Sequence, residues 1–190
     1  MERVIVTGAN GFLGKNLIKE LIERNIKVTA LDIRFDSELL SNDNVECIDV
    51  HDISISSLKD RLINHNHDCI FHLAWAGTSG QMRADYKIQL KNVKNVCEYV
   101  ELSKAIGCPR FLYASSINEM ETYEYMQSND VKPSGGYIYG TGKLAGHLMG
   151  EVVAYQNDIE FIPVIITNIY GAGEKSARLV NTSIRQLLNK

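Results

Sequence analysis

Tyr139 and Lys143 are four residues apart in a stretch with a helical pattern, so their side chains leave the same face of a helix. An ammonium beside a phenol favours the phenolate and brings the tyrosine closer to ionisation at neutral pH. A tyrosine tuned in this way takes or gives a hydroxyl proton while a nicotinamide handles the redox half of the exchange. The strand-like run Arg110-Phe111-Leu112-Tyr113-Ala114-Ser115 comes before the helix and leads into Ser116. The hydroxyls of Ser115 and Ser116 would hydrogen-bond the same substrate oxygen. A Tyr-x-x-x-Lys pair alone is more often a chance surface pair, so its meaning depends on the elements around it.

The element that gives it meaning lies at the other end of the chain. Val4-Ile5-Val6-Thr7 is a β-branched run that reads as a buried strand, and Gly8, Gly11 and Gly14 mark the change to a helix carrying Phe12, Leu13, Leu17, Ile18, Leu21 and Ile22. Such a turn aims free backbone N–H groups and the positive helix end at one spot, which suits a phosphate. The plain alternative is a glycine-rich turn with no ligand. Lys27 to Asp32 reads as a second strand ending in an acid, close to the roughly 20-residue offset at which a carboxylate meets an adenosine ribose. Asp32 therefore favours NAD, while Arg34 could pair with a 2′-phosphate and leaves NADP open. The alternative for Asp32 is an ordinary strand-end acid.

Further strands are read at Val45–Val50, Asp68–Ala74, Arg110–Ser115 and Ile159–Ile166, the last of them at a sheet edge because it contains Pro163. Helices are read at Ser54–Asn64, Asp85–Ile106 and about Tyr137–Tyr155, with a helical tail from Ser176 to Lys190 and a polar loop up to Gly136. Alternating strands and helices predict an α/β fold: a Rossmann-type, doubly wound parallel sheet of order 3-2-1-4-5-6 with helices on both faces.

The chain has 190 residues, 45% of them hydrophobic, a net charge of −3 and a pI near 6.0. A generally basic surface for nucleic acid is not indicated. The absence of a leader or a membrane-length apolar run leads to the expectation of a soluble, cytoplasmic protein that does not contact membranes. Cys47, Cys69 and Cys97 are expected to be buried thiols. His65 and His67 alternate in a polar stretch without further ligands, so no metal is expected; His72, in an apolar strand, reads as a satisfied core histidine. Gly142, Gly146 and Gly150 form a stripe that predicts a close helix contact, within or between subunits.

Taken in order, these segments resemble the extended short-chain dehydrogenases/reductases, the NAD-dependent epimerase/dehydratase family of nucleotide-sugar enzymes. Thr7-Gly8-Ala9-Asn10-Gly11-Phe12-Leu13-Gly14 is similar to the family's TGxxGFxG turn, and Asp49-Val50 to its adenine-contacting pair. His72-Leu73-Ala74-Trp75 resembles its HLAA segment, with Trp75 replacing a small residue. Asn92 matches the asparagine of the long fourth helix. Tyr139-Gly140-Thr141-Gly142-Lys143 resembles YGxSK, with Gly142 in place of serine, and Asn168 to Gly173 resembles NVYGPG. Tyr137 is a decoy, since its own i+4 partner is Thr141.

The resemblance implies that Ser116 orients the substrate hydroxyl, that Tyr139 is the acid/base, and that Lys143 tunes Tyr139 and holds the nicotinamide ribose. It implies cofactor contacts from Gly8, Asn10, Gly11, Phe12, Leu13, Gly14, Asp32, Ile33, Arg34, Asp49, Val50, Leu73, Ala74, Trp75, Asn92, Tyr139, Lys143 and Ile166, and substrate contacts from Ser116, Asn118 and Asn168. Dehydratases of the family carry an Asp-Glu pair just after the catalytic Ser/Thr, where this chain has Ile117-Asn118 followed by Glu119. Epimerisation or keto-sugar reduction is therefore preferred to 4,6-dehydration, and a non-catalytic NAD(P)-sensing module is the rival. Ile165 stands where the family often has arginine. Residues 1–174 are read as the dinucleotide-binding domain and 175–190 as a helix leading toward a substrate domain that is missing or truncated. A homodimer is expected through the helices at 85–106 and 137–155.

Overall fold

Six short strands pair in parallel: β1 (Arg3–Thr7), β2 (Lys27–Asp32), β3 (Val45–Asp49), β4 (Cys69–His72), β5 (Arg110–Ser116) and β6 (Glu160–Ile166). Their order across the sheet is β3-β2-β1-β4-β5-β6, as the alternation of elements predicts. The computed structural model describes residues 1–130, 132–174 and 179–189. Strands alternate with α1 (Phe12–Glu23), α2 (Ser37–Leu40), α3 (Ile55–Leu62), α4 (Tyr86–Ala105), α5 (Asn118–Gln127) and α6 (Gly136–Gln156), and α7 (Leu179–Leu188) closes the described chain. Because neighbouring side chains on a strand point to opposite faces, β1 feeds two cores. Ile5 joins one cluster with Ile70, Val96, Val100 and Phe111, while Val4 and Val6 join a second with Ile18, Leu21 and Val28.

Register brings the carboxyl ends of the strands level. Thr7 is opposite Leu31 on one side and His72 on the other, Asp32 is opposite Asp49, and Ser116 is opposite Ile166. The order reverses between β1 and β4, so the loops leaving those strands diverge and open a crevice above them.

Several expectations change. The stretch read as a polar loop contains α5, whose buried residues are Glu119 and Thr122. Its inward face is polar, so no apolar period announces it. β6 pairs with β5 alone among the described residues, and the edge position tolerates Pro163, which has no N–H to donate. Cys69 and Cys108 are buried, but Cys47 and Cys97 are only partly so. His67 is buried rather than solvated, with Nε2 3.1 Å from Thr29 Oγ1. The glycine stripe packs within the chain. A Cβ on Gly150 would stand 2.8 Å from Val96 Cγ1, and one on Gly146 would stand 2.9 Å from the Tyr113 hydroxyl. Of the predicted tail helix, residues 176–178 and 190 lie outside the described residues.

Candidate active site

The glycine turn forms one end of the crevice. Gly8 has φ +65°, and a Cβ there would lie 2.9 Å from the Ala74 nitrogen. At Gly14 a Cβ would come within 2.3 Å of the Gly8 carbonyl oxygen, so only glycine lets α1 start this close to β1. Gly11 is the N-cap of α1 and has no side chain to offer the first turn, which leaves those amides to a ligand. The Asp32 carboxylate borders the turn: Oδ2 accepts from the Asn10 amide at 2.8 Å and Oδ1 from the Ile33 amide at 2.7 Å.

Next along the crevice is the segment after β4. Thr7 Oγ1 accepts from the Ala74 amide at 3.1 Å and lies 3.1 Å from His72 Nδ1. Burial pulls His72 down to about 3, so the ring is neutral, and its Nε2 has no partner among the described residues. Asn92, buried on α4, clamps the loop by accepting from the Ala76 amide at 3.0 Å and donating to the Ala76 carbonyl at 2.8 Å. The Trp75 Nε1 donates to Gln89 Oε1 at 2.7 Å, and Gln89 Nε2 donates to the Gly77 carbonyl at 3.2 Å.

Beyond this segment lie the ends of β5 and α6. Ser116 Oγ donates to Asn118 Oδ1 at 3.0 Å. Tyr139 and Lys143 face inward from α6, only 7% and 4% exposed. Lys143 Nζ donates to the Ala114 carbonyl at 2.7 Å and stands 3.7 Å from the centre of the Trp75 ring. Burial lowers Lys143 to about 7, opposed by the negative charge of Glu119. At that value the side chain sits near the midpoint of its proton exchange at neutral pH. The Arg83 guanidinium covers the Tyr139 ring at 4.1 Å. Tyr137 stacks on Tyr125 with 4.4 Å between ring centres.

These pieces line one cleft of about 1560 Å³, above the roughly 300–1,000 Å³ of a single small-molecule pocket. Its wall includes Gly8, Asn10, Gly11, Phe12, Leu13, Gly14, Asp32, Ile33, Arg34, Val50, Leu73, Ala74, Trp75, Asn92, Ser116, Asn118, Tyr139, Lys143, Ile166 and Asn168. Asp49 is not on that wall; its Oδ1 accepts from the His51 amide at 2.8 Å. Glu119 is also off the wall. Its carboxylate accepts from Ser115 Oγ and lies 2.9 Å from His147 Nδ1. The sequence reading missed Arg83, in a 3-10 turn at Gln81–Ala84, and the Glu119–His147 pair. Neither belongs to a recognisable spacing: Arg83 depends on where its loop carries it, and the pair on how α5 packs against α6.

Comparison with known proteins agrees with this geometry. A family model described as the NAD dependent epimerase/dehydratase family matches residues 4–190. The dTDP-4-dehydro-6-deoxyglucose reductase of Escherichia coli is 27% identical over 184 residues, covering 90% of this chain and 57% of that protein. MoeE5, solved in complex with UDP-glucose and NAD, superposes with TM-score 0.73 at 26% identity, over 96% of this chain and 60% of its own. The UDP-N-acetylglucosamine 4-epimerase from Bacillus cereus shares the fold with TM-score 0.77 at 20% identity, over 100% of this chain and 61% of its own. The chain thus spans less than two thirds of the length of each. With nearly every residue inside the family match, this chain belongs to the NAD-dependent epimerase/dehydratase family.

Proposed function

We propose that this chain forms the dinucleotide-binding part of an NAD-dependent enzyme that epimerises a nucleotide-linked sugar or reduces its keto group. The observation that carries the reading is the single cleft joining the glycine turn and Asp32 at one end to Ser116, Tyr139 and Lys143 at the other. The residues fit the cofactor: the uncapped start of α1 suits a pyrophosphate, and Asp32 suits the adenosine ribose and repels a 2′-phosphate. Exposed Arg34 beside it keeps NADP within reach. When bound, nicotinamide supplies two-electron redox chemistry at the sugar carbon. Tyr139 then takes or gives the proton of the sugar hydroxyl at its phenolic oxygen. Lys143 favours the phenolate and holds the nicotinamide ribose. Ser116 orients the sugar oxygen, and Asn118 and Asn168 flank it. Nucleotide-sugar recognition is supported by the relative solved with UDP-glucose and NAD.

Dehydration is the weaker reading, because Glu119 points to Ser115 and His147 rather than into the cleft. We assign residues 1–174 to the dinucleotide-binding domain and the following helix to the approach to a substrate-binding region, in keeping with the greater length of the relatives. We also assign a homodimer to the outer faces of α4 and α6, where Leu90, Leu148, Met149 and Val152 are exposed. The four free thiols suit a reducing cytoplasm, where we place the protein.

The test has two parts. Calorimetric titration with NAD should show binding; turnover, read as epimerised product from UDP- and dTDP-sugars or as loss of the reduced-nicotinamide band when NADH and a keto-sugar are supplied, should be slow for the chain as given and lost in Tyr139→Phe. No NAD binding would overturn the reading. Turnover unaffected by Tyr139→Phe would overturn the assignment of the proton to Tyr139.

A further inference from the structure

Two departures from the family pattern, Trp75 in the HLAA-like segment and Gly142 in the YGxSK-like one, meet in space. A Cβ on Gly142 would lie 3.0 Å from Gln89 Cβ and 3.5 Å from Trp75 Cζ2, and a Cβ on Gly146 would lie 3.4 Å from Trp75 Cη2. The indole fits in the groove these glycines leave between α4 and α6. Its Nε1 is anchored to Gln89 at 2.7 Å, and its ring stands nearly perpendicular to that of Tyr139, with 6.4 Å between ring centres. Its face is turned to Lys143, whose Nζ is 3.7 Å from the ring centre and 5.2 Å from that of Tyr113.

An ammonium this deeply buried loses most of its hydration. The hydrogen bond it donates to the Ala114 carbonyl replaces only part of it. The negative face of an indole supplies attraction to the cation without competing for its protons, and it does so most strongly where water is excluded. We propose that Trp75 is a positioning residue for Lys143: its indole face fixes the ammonium beside the Tyr139 helix face and stabilises its charged form. The other titratable groups facing Lys143 are Glu119 of α5, His72 of β4 and Tyr113 of β5, with Tyr139 and His147 on its own helix; Arg83 lies further out, over Tyr139. Of these, Glu119 also favours the charge, and it approaches from the α5 side. Trp75 and Glu119 therefore oppose desolvation from two directions. Trp75 thereby sets what fraction of Lys143 is charged near neutral pH.

The chain contains one tryptophan, so biosynthetic incorporation of fluorinated tryptophan alters this ring alone. Fluorination weakens the ring quadrupole in steps while nearly keeping its shape. The readout is the pH titration of the Lys143 side-chain resonances in lysine-labelled protein. The midpoint should fall stepwise with fluorine number, by about one pH unit at full substitution. Trp75→Leu, which keeps the site dry, should give a similar fall, and Trp75→Phe should retain most of the wild-type value. A midpoint independent of fluorination overturns the inference, because a purely structural indole would move the melting temperature and not the titration. The catalytic meaning of the pair rests on the proposed function, but the titration needs neither cofactor nor substrate. A flat fluorine series would therefore sink this inference alone, and absent NAD binding would sink only the functional reading.

Discussion

The carboxylate of Glu119 lies 2.9 Å from Nδ1 of His147, across the seam between α5 and α6 and outside the cleft. Burial raises the Glu119 carboxyl above its usual range, and His147 and then Lys143 act against that rise. Removing the carboxylate leaves Ser115 Oγ and His147 Nδ1 without this partner. Glu119→Ala should therefore cost about 1–3 kcal/mol in urea denaturation. Glu119→Gln, which can still accept from Ser115, should cost less. Both changes also remove a negative charge that favours the charged form of Lys143, so NAD affinity at neutral pH should fall modestly and recover at lower pH, where Lys143 is charged without that help. A large loss of NAD binding in a folded Glu119→Gln protein that lower pH does not restore would place this residue in the cleft after all.

Gly146 is where two estimates compete. Alanine would improve helix propensity by up to about 1 kcal/mol. Its Cβ would sit 2.9 Å from the Tyr113 hydroxyl, which donates to the Lys143 carbonyl at 3.0 Å, and such overpacking costs about 1–3 kcal/mol. The clash should win, so Gly146→Ala should lower the melting temperature and Gly146→Leu should lower it much further. Unchanged melting of Gly146→Leu would contradict this packing.

The two buried histidines predict an acid-sensitive fold. Burial lowers His67 to about 4 and His72 to about 3, against an unfolded value near 6.5. Below pH 6.5 the unfolded chain binds protons that the folded chain does not. Stability is therefore fully present above 6.5 and declines as pH falls toward 4. Each histidine contributes a slope of up to about 1.4 kcal/mol per pH unit in that window. Denaturation midpoints measured between pH 7 and pH 4.5 should show the decline, and His67→Gln should make it shallower.

Asp32 joins the glycine turn to the end of β2. Asp32→Asn should weaken NAD binding about tenfold, the scale of a lost charge-assisted hydrogen bond. It should weaken NADP less, because the repulsion of a 2′-phosphate is lost and Arg34 remains. Fluorescence titrations with both dinucleotides would check the ratio, and an unchanged preference would remove Asp32 from the ribose site.

Features fixed by local rules were legible in the sequence. The β-branched runs, the glycines at positions 8, 11 and 14, and the strand–helix alternation were enough to predict the sheet order. The four-residue spacing placed Tyr139 and Lys143 on one helix face. Features set by tertiary context were not legible. The inward face of α5 carries Glu119 and Thr122, so its burial leaves no apolar period. His67 stands among polar neighbours yet is covered on folding. Arg83 reaches Tyr139 because Gln89 and Asn92 hold the loop after β4, and no local spacing encodes that reach.

A single indole packed against Lys143 also makes the protein its own optical reporter. Intrinsic fluorescence excited in the tryptophan band arises from the Lys143 corner of the cleft alone, undiluted by emitters elsewhere in the chain. Quenching or energy transfer on adding a dinucleotide would then report events within a few ångströms of Lys143 and Tyr139, without any attached dye.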